Sequence, residues 1–314
     1  MTGSAGVAEP GGDAGSVVTV GTFDGVHLGH RAILTEIAAR AKRLGGRSVL
    51  VTFDPHPLEI VNPQAAPPLL SVGDEKREIL AQSELDLVVF LPFTTELSHY
   101  PPDAFVQLLI DRFQMRELVI GHDHGFGRGR AGDETVVQQL GQQLGFTVDV
   151  IGAVSVAGRQ VSSTLVRRAI AGGDLRTASA LLGRPYSLTA PVVPGTGRGR
   201  ELGYRTVNLA VTHPRKLLPP DGVYAVRAGW RDGSAGGMMH VGPRPTFGEA
   251  TRTLEVHLFD ADVDLYGAPV KVSWVSRLRD VKTFADSASL KAQLGRDFAD
   301  AQNALTASLE PTSN

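Results

Sequence analysis

The chain has 314 residues, 42% of them hydrophobic and 20% charged, which suits packed cores in two domains and excludes global disorder. A formal net charge of −2 and a pI of about 6.5 argue against a protein that lives on a nucleic-acid backbone. The absence of cysteine excludes disulfides, thiolate zinc sites, iron–sulfur clusters and a cysteine nucleophile, and no apolar run reaches the ~18 residues of a membrane span.

The first fifteen residues, MTGSAGVAEPGGDAG, have neither a basic start nor an apolar stretch. They read as a disordered tail and not as a signal peptide. Apolar runs follow at Ser16–Phe23, Arg47–Phe53, Asp86–Phe93, Glu117–Gly121 and Phe146–Gly152. Their consecutive Val, Ile and Leu residues mark strands buried on both faces, as in a parallel sheet covered by helices. Helical stripes lie between them, one through Ile33, Ile37, Ala41 and Leu44, another through Ala104, Leu108, Leu109 and Phe113. Residues 16–183 therefore read as a doubly wound α/β domain. Ser162–Ala171 and Asp174–Leu182 form two short helices around a Gly172-Gly173 turn. Beyond Gly183 the pattern changes to β segments punctuated by Gly and Pro: YSLTAPVV, YRTVNLAV, GVYAVRAGW, GGMMHVG, TRTLEVHLFD and APVKVSWV. That pattern predicts an antiparallel barrel over 184–308, closed by a helix at about Ser287–Leu305, with a second tail at 309–314.

Two places carry chemistry. Strand one ends in GTFDGVHLGH, Gly21–His30, where a helix begins. Helix N-termini collect anions, and Gly21, Gly25 and Gly29 let the backbone approach a ligand. His27 and His30, three apart, share one face of the first turn. In this position they read as a phosphate site rather than as two surface histidines. FDPHP after strand two and VSSTLVRR after strand five point to the same mouth, at the carboxyl ends of the strands. Ser162, Ser163 and Thr164 suit phosphate and Arg167 a clamp, although Ser-Ser-Thr alone is equally a helix cap.

The second place is GTGRGRELGYRTVNL, Gly195–Leu209. Its glycines with Arg198 and Arg200 suit a phosphate loop, or equally an ordinary basic hairpin; it lacks the Gly-Lys-Ser/Thr ending of a P-loop. Thr206 and Asn208 alternate onto one strand face, and their oxygens suit Mg²⁺. Glu255 and His257 share another strand face. A carboxylate turned inward there could accept a hydroxyl proton, although a lone Glu is more often a surface residue.

The line GTFDGVHLGH … FDPHP … GHDHGFGRGRAGD … SSTLVRR … LLGRPY, continued by PPDGVYAV, GPRPTFG and LEVHLFDADVDLYG, resembles the bifunctional bacterial riboflavin kinase/FMN adenylyltransferases, or FAD synthetases, from about Ser16 to Leu305. The resemblance implies a Rossmann-like, HIGH-type nucleotidyltransferase domain with a parallel sheet, then an antiparallel six-stranded riboflavin kinase barrel. It implies that the first half transfers AMP from ATP to FMN, giving FAD and pyrophosphate. His27 and His30 would then be catalytic, with Gly21, Phe23, Asp24, Gly29, Asp123, Ser163, Thr164 and Arg167 on ATP and its phosphates. The second half would phosphorylate riboflavin with MgATP. There Thr206 and Asn208 would hold Mg²⁺, Glu255 would be the base, and Gly195, Gly197, Arg198, Gly199, Arg200 and Arg279 would contact ATP or flavin. The implied partners are ATP and flavins, with no nucleic acid and no membrane, in the cytoplasm. Six positions depart from the family's habit: His124 and Leu165 in the first half, and in the second Arg205 for the usual Pro before Thr206, and His240, Val281 and Thr283 around the flavin segments.

Two rivals stand beside this reading. One is a single-activity adenylyltransferase with a decayed barrel, against which the retained Thr206, Asn208 and Glu255 argue. The other is a tRNA-acting synthetase-like protein, against which the charge and the missing Lys-Met-Ser-Lys-Ser motif argue.

Overall fold

The structure, a computed structural model, describes residues 14–121, 127, 132–195, 206–244 and 249–308. These fall into two compact units. One combines the chain up to Pro67 with Lys76–Val161; the other combines Pro68–Glu75 with the chain from Ser162 onward.

In chain order the first half runs β1 (Ser16–Val20), α1 (Leu28–Leu44), β2 (Arg47–Asp54), α2 (Pro57–Val61), α3 (Gly73–Ala81), β3 (Leu87–Pro92), α4 (Thr95–Ser98), α5 (Pro102–Phe113), β4 (Met115–Gly121), α6 (Glu134–Leu144) and β5 (Thr147–Ile151). The five strands pair in parallel in the order β3-β2-β1-β4-β5. Alternation along the strands builds two cores. Val18, Val20, Val49, Val51, Leu118 and Ile120 meet Phe105, Leu109 and Val137 of α5 and α6. Val17, Leu50 and Val119 turn to the other face and meet Leu34, Ile37 and Ala41 of α1, with Ile79 and Leu80 of α3. The doubly wound reading therefore holds. Leu44, expected on the α1 stripe, is exposed, because the 3.6-residue stripe through Ile37 and Ala41 runs back to Leu34. Arg40 of α1 reaches Glu36 on its own helix, Glu117 on β4 and Asp149 on β5, pinning the helix to the sheet.

A short hairpin, β6 (Ser155–Val156) and β7 (Arg159–Gln160), leads to α7 (Ser163–Ala171) and α8 (Leu175–Leu182). Then come β8 (Ser187–Val193), β9 (Thr206–Leu209), β10 (Gly222–Trp230), β11 (Gly233–Arg244), β12 (Glu249–Leu258), β13 (Pro269–Arg279) and a terminal helix, Ser287–Ala307. The strands close a barrel in the order β10-β11-β12-β9-β8-β13, so no edge is left unpaired. Tyr224 and Trp274 are its largest fully buried side chains. The terminal helix lays Phe298, Ala301 and Leu305 on Ala225, Met238 and Phe259. No helix among the described residues is long and apolar enough to cross a membrane.

Periodicity marks no element over residues 57–81, where the structure has α2 and α3 and draws Pro68–Glu75 into the second unit. Leu69 forms a parallel bridge with Lys216. Lys216, its side chain only 1% exposed, donates to Glu75 Oε2 at 2.6 Å, to the Leu70 carbonyl at 2.9 Å and to the Ser187 carbonyl at 2.8 Å. Its ammonium also stands over the Tyr186 ring, 4.6 Å from the centroid. Glu75 Oε1 accepts from the Thr189 amide at 2.8 Å. Every hydrogen of this buried cation thus has an oxygen to meet, which is the condition for keeping such a pair.

Removing one partner of a buried pair leaves an uncompensated charge. Glu75→Gln in the full chain is expected to lower stability by about 3–5 kcal/mol, read from urea unfolding of the second unit. Arg252→Gln, whose pair with Asp221 has side chains 41% and 46% exposed, serves as the control and is expected to cost less than about 1 kcal/mol.

Candidate active sites

Seven residues, Gly21–His27, carry the chain from β1 to α1. They start between β1 and β4, where the strand order reverses and open α/β sheets bind their ligands. The turn is buried: Phe23, Asp24 and Val26 are 3%, 3% and 2% exposed. It is also strained. Phe23 has φ 45° and Val26 φ 39°, left-handed values that a bulky or β-branched residue rarely adopts, on either side of Gly25 at φ 76°.

The turn delivers the two histidines. His27 is the N-cap of α1, one residue before the helix, and its Nδ1 accepts the His30 amide hydrogen at 3.2 Å. A ring nitrogen that accepts carries no proton, so the neutral ring keeps its hydrogen on Nε2. The rings of His27 and His30 stack at 3.7 Å with 12° between planes, and Phe23 lies 4.6 Å from His30 on a 34° tilt. Gly29 leaves the stack room: a Cβ there would meet Cε1 and Nδ1 of His27 at 3.2 Å, a tight contact the ring would have to yield to. Likewise a Cβ at Gly21 would meet the Phe23 ring at 3.0 Å. The i, i+3 spacing thus juxtaposes the histidines, but through a cap rather than through two helical positions.

Lys76 of α3 escaped the sequence reading, because a Lys inside GDEKREIL has the look of a solvated face. It is buried, and its Nζ donates to Thr52 Oγ1 at 2.8 Å and to the Phe53 carbonyl at 3.3 Å, at the carboxyl end of β2. Burial pushes its ammonium down to about 8, against the opposing pull of Asp24 and Asp54. Asp123 lies outside the described residues. Ser163, Thr164 and Arg167 sit on the first two turns of α7, in the second unit. Ser162 caps that helix by accepting from the Leu165 amide at 3.2 Å, so the capping reading of the Ser-Ser-Thr run holds for its first member. Thr164 is exposed, and Arg167 Nε donates to the Pro68 carbonyl at 2.8 Å.

On the barrel, Gly197, Arg198, Gly199, Arg200 and Arg205 lie outside the described residues. Gly195 is placed, and a Cβ on it would come within 2.0 Å of Asn208 Nδ2, so only glycine lets that amide in. Cross-strand register gathers the rest. Asn208 pairs with Glu255, Glu255 with His240, His240 with Val223, and Val223 with Arg279. Directly paired residues share a face, so one row runs across five strands at about 4.8 Å per step. Thr206 and His257 form the neighbouring pair on that face.

This face is not the barrel interior. Leu254, Val256 and Leu258 take the interior, so Glu255 turns outward, to the side where His257 meets Phe298 of the terminal helix at 6.4 Å. Of the two orientations left open for Glu255, the outward one is found: strand alternation gives the inside to the aliphatic residues. His240 Nε2 lies 3.0 Å from the Pro243 carbonyl and 3.2 Å from that of Gly242, tying the strand to the turn that follows it. Arg279 grips Asp297 of the terminal helix with Nε and Nη2, at 2.7–3.0 Å. A pocket of about 660 Å³ opens beside Gly195 and Asn208, with Pro194, Leu218, Arg252 and Leu254 in its walls. Thr206 Oγ1, Asn208 Oδ1 and a carboxylate next to them form a hard-oxygen set, which fits Mg²⁺ held mostly by phosphate and water.

Known proteins resemble the chain on both halves. The FAD synthetase family matches residues 10–165, and the riboflavin kinase family residues 182–305. The bifunctional riboflavin kinase/FMN adenylyltransferase of Escherichia coli strain K12 is 35% identical over 285 residues, 90% of each chain. That of Pseudomonas fluorescens is 37% identical over 290 residues, 92% of each. A crystal structure described as a macrolide-efflux protein from Streptococcus pneumoniae superposes with a TM-score of 0.82 at 28% identity, covering 94% of this chain and 96% of that one. With a parallel sheet bearing the capped histidine pair, a closed barrel bearing the Asn208–Glu255 row, and relatives matched over nine-tenths of their length, the chain belongs to the bifunctional riboflavin kinase/FMN adenylyltransferases.

Proposed function

We infer that the chain phosphorylates riboflavin to FMN on the barrel and adenylylates FMN to FAD on the parallel-sheet domain, each step consuming ATP. The assignment of residues to roles is supported above all by one observation: Glu255 and Asn208, far apart in sequence, are direct cross-strand partners with Thr206 beside them. A base next to hard-oxygen donors is what transfer of a γ-phosphoryl group to a hydroxyl requires.

In the kinase step Glu255 accepts the proton of the riboflavin 5′-hydroxyl as its oxygen attacks the γ-phosphorus, and ADP leaves. Thr206 and Asn208 would hold Mg²⁺, which supplies charge neutralisation to the ATP phosphates when bound. Gly195, with Gly197, Arg198, Gly199 and Arg200, forms the phosphate loop, and Arg279 steadies the flavin side from the end of β13. In the adenylyl step an oxygen of the FMN phosphate attacks the α-phosphorus in line, and pyrophosphate leaves. No protein nucleophile is needed; positioning and charge carry the rate. His27 offers Nε2–H to a phosphate oxygen, and His30 stacks behind it. Gly21, Phe23, Asp24 and Gly29 shape the nucleotide side, and Asp123, Ser163, Thr164 and Arg167 complete the ATP contacts. The same reading divides the activities at about Gly183 and places the enzyme in the cytoplasm with ATP and flavins as its partners.

Single substitutions should separate the two activities. Glu255→Gln is expected to cut riboflavin phosphorylation by about 10²–10⁴-fold, the usual loss of a general base, and to leave FAD formation from supplied FMN within about twofold. His30→Ala is expected to do the reverse, with FMN accumulating and FAD formation down by about 10²–10³-fold. Chromatography of riboflavin, FMN and FAD reads both; a single variant that loses both activities while folded would overturn the two-site assignment.

Both rates are also expected to fall to background in excess chelator and to return with Mg²⁺ but not with zinc, since the donors available are hard oxygens. Phosphorylation that persists in chelator would remove Thr206 and Asn208 as metal ligands.

A further inference from the structure

Lys76 is a buried cation, 8% exposed, that no step above uses. Its ammonium donates to Thr52 Oγ1 at 2.8 Å and to the Phe53 carbonyl at 3.3 Å, both at the end of β2. Thr52 passes the chain on, donating its own hydroxyl hydrogen to the Thr22 carbonyl at 3.1 Å. A hydroxyl has one proton and two lone pairs, so it can accept from an ammonium and donate onward at once. The relay ends one residue before Phe23, inside the turn that carries the left-handed φ values of Phe23, Gly25 and Val26. Phe90 of β3 lies 5.7 Å from Nζ, and the charges that act on it are the carboxylates of Asp24 and Asp54 and the guanidinium of Arg77. A buried ammonium is costly unless oxygens surround it and an anion balances it. Here the oxygens belong to the strand end beside the turn, and one of the balancing anions, Asp24, belongs to the turn itself.

We propose that Lys76 is a positioning residue for adenylyl transfer: through Thr52 it holds the Gly21–His27 turn in its strained form and balances Asp24, so that His27 and His30 meet the phosphates in register. This rests on the adenylyltransferase reading of that turn. Strained backbone persists only where its surroundings over-determine it. The Lys76–Thr52–Thr22 relay is such a surrounding. A neutral amine would keep two hydrogens for Thr52 and Phe53, but only the ammonium carries the charge that balances Asp24 and strengthens both bonds.

That condition gives the role a signature. Burial lowers the ammonium to about 8, so its charge disappears as pH rises through that value. Stability runs the other way. Between about 8 and the ordinary lysine value of 10.5 the unfolded chain binds more protons than the folded one, so folding strengthens as pH rises. A loss of rate in that window is therefore not unfolding driven by this group.

The test uses the full-length enzyme and follows FAD formation from FMN between about pH 6.5 and pH 9.5, with riboflavin phosphorylation by the same samples as the internal control. Wild type is expected to lose about tenfold in kcat/KM between about pH 7 and pH 9, as one group with a midpoint near 8 discharges. Lys76→Met is expected to start about tenfold lower at pH 7 and to lack that limb, with phosphorylation unchanged. Lys76→Arg, which stays charged throughout, should recover much of the rate and also lack the limb. Thr52→Val, which cuts the relay and leaves the lysine, should lower the rate and keep a limb. Wild-type rate in Lys76→Met, or a limb near pH 8 that survives in Lys76→Arg, overturns the proposal. Should Lys76→Met not fold, the wild-type and Lys76→Arg profiles decide the matter alone. A wild type that makes no FAD from FMN at any pH removes the adenylyltransferase reading instead, which is a different failure.

Discussion

The constraint on which the first site depends is the burial of the turn between β1 and α1. Seven residues must leave a central strand, reverse and enter a helix while Phe23, Asp24 and Val26 stay out of water. With so few residues the backbone accepts left-handed conformations at two bulky side chains. What the strain achieves is placement. The His27 ring swings back onto its own helix, caps it, and stacks on His30. A helix N-terminus concentrates N–H groups and partial positive charge, the features anions favour.

The barrel solves a comparable problem by register rather than by strain. Its polar candidate residues lie on four different strands, and hydrogen-bond pairing through Val223 on a fifth brings Asn208, Glu255, His240 and Arg279 into one row. A slip of one residue on β12 would turn Glu255 into the aliphatic interior and bring Val256 out, at a cost that excludes it. The packed inner layer of Leu254, Val256, Tyr224 and Trp274 is therefore also what orients the polar row. Arg279 shows how one residue joins packing to chemistry. It ends the row, and its fork on the buried Asp297 anchors the terminal helix that covers the neighbouring part of the same face.

Two buried lysines illustrate how the fold keeps charge inside. Lys216 has a carboxylate at 2.6 Å and two carbonyls, an arrangement that ties Pro68–Glu75 to the barrel strands. Lys76 has a hydroxyl and a carbonyl as its hydrogen-bond acceptors, with carboxylates acting on it only as neighbouring charges. The first is a saturated pair, whose place is structural. The second keeps a cation less fully compensated beside the turn from β1 to α1, and its depressed affinity for its proton follows from that difference.

Much of this was legible in the residues alone. Runs of consecutive aliphatic side chains set the five parallel strands to within one to three residues at each end, because a strand buried on both faces leaves no room for polar alternation. Gly and Pro punctuation located the barrel strands, and Gly172-Gly173 separated α7 from α8, because local backbone rules govern both. The pairs His27 and His30, and Thr206 and Asn208, were likewise visible, since their spacing is local; Glu255 stood out only through the family resemblance. Three things were decided only in three dimensions. Which way Glu255 faces depends on what packs inside the barrel, and alternation along one strand leaves the two faces equivalent until the other strands close it. The allegiance of Pro68–Glu75 to the second unit depends on a partner at Lys216, far along the chain. Lys76 gained its character from burial against the end of β2 and the Phe90 ring of β3, and a lysine's composition is the same whether its ammonium meets water or a threonine hydroxyl. Sequence carries what neighbours along the chain dictate; solvation and the charge that goes with it belong to neighbours in space.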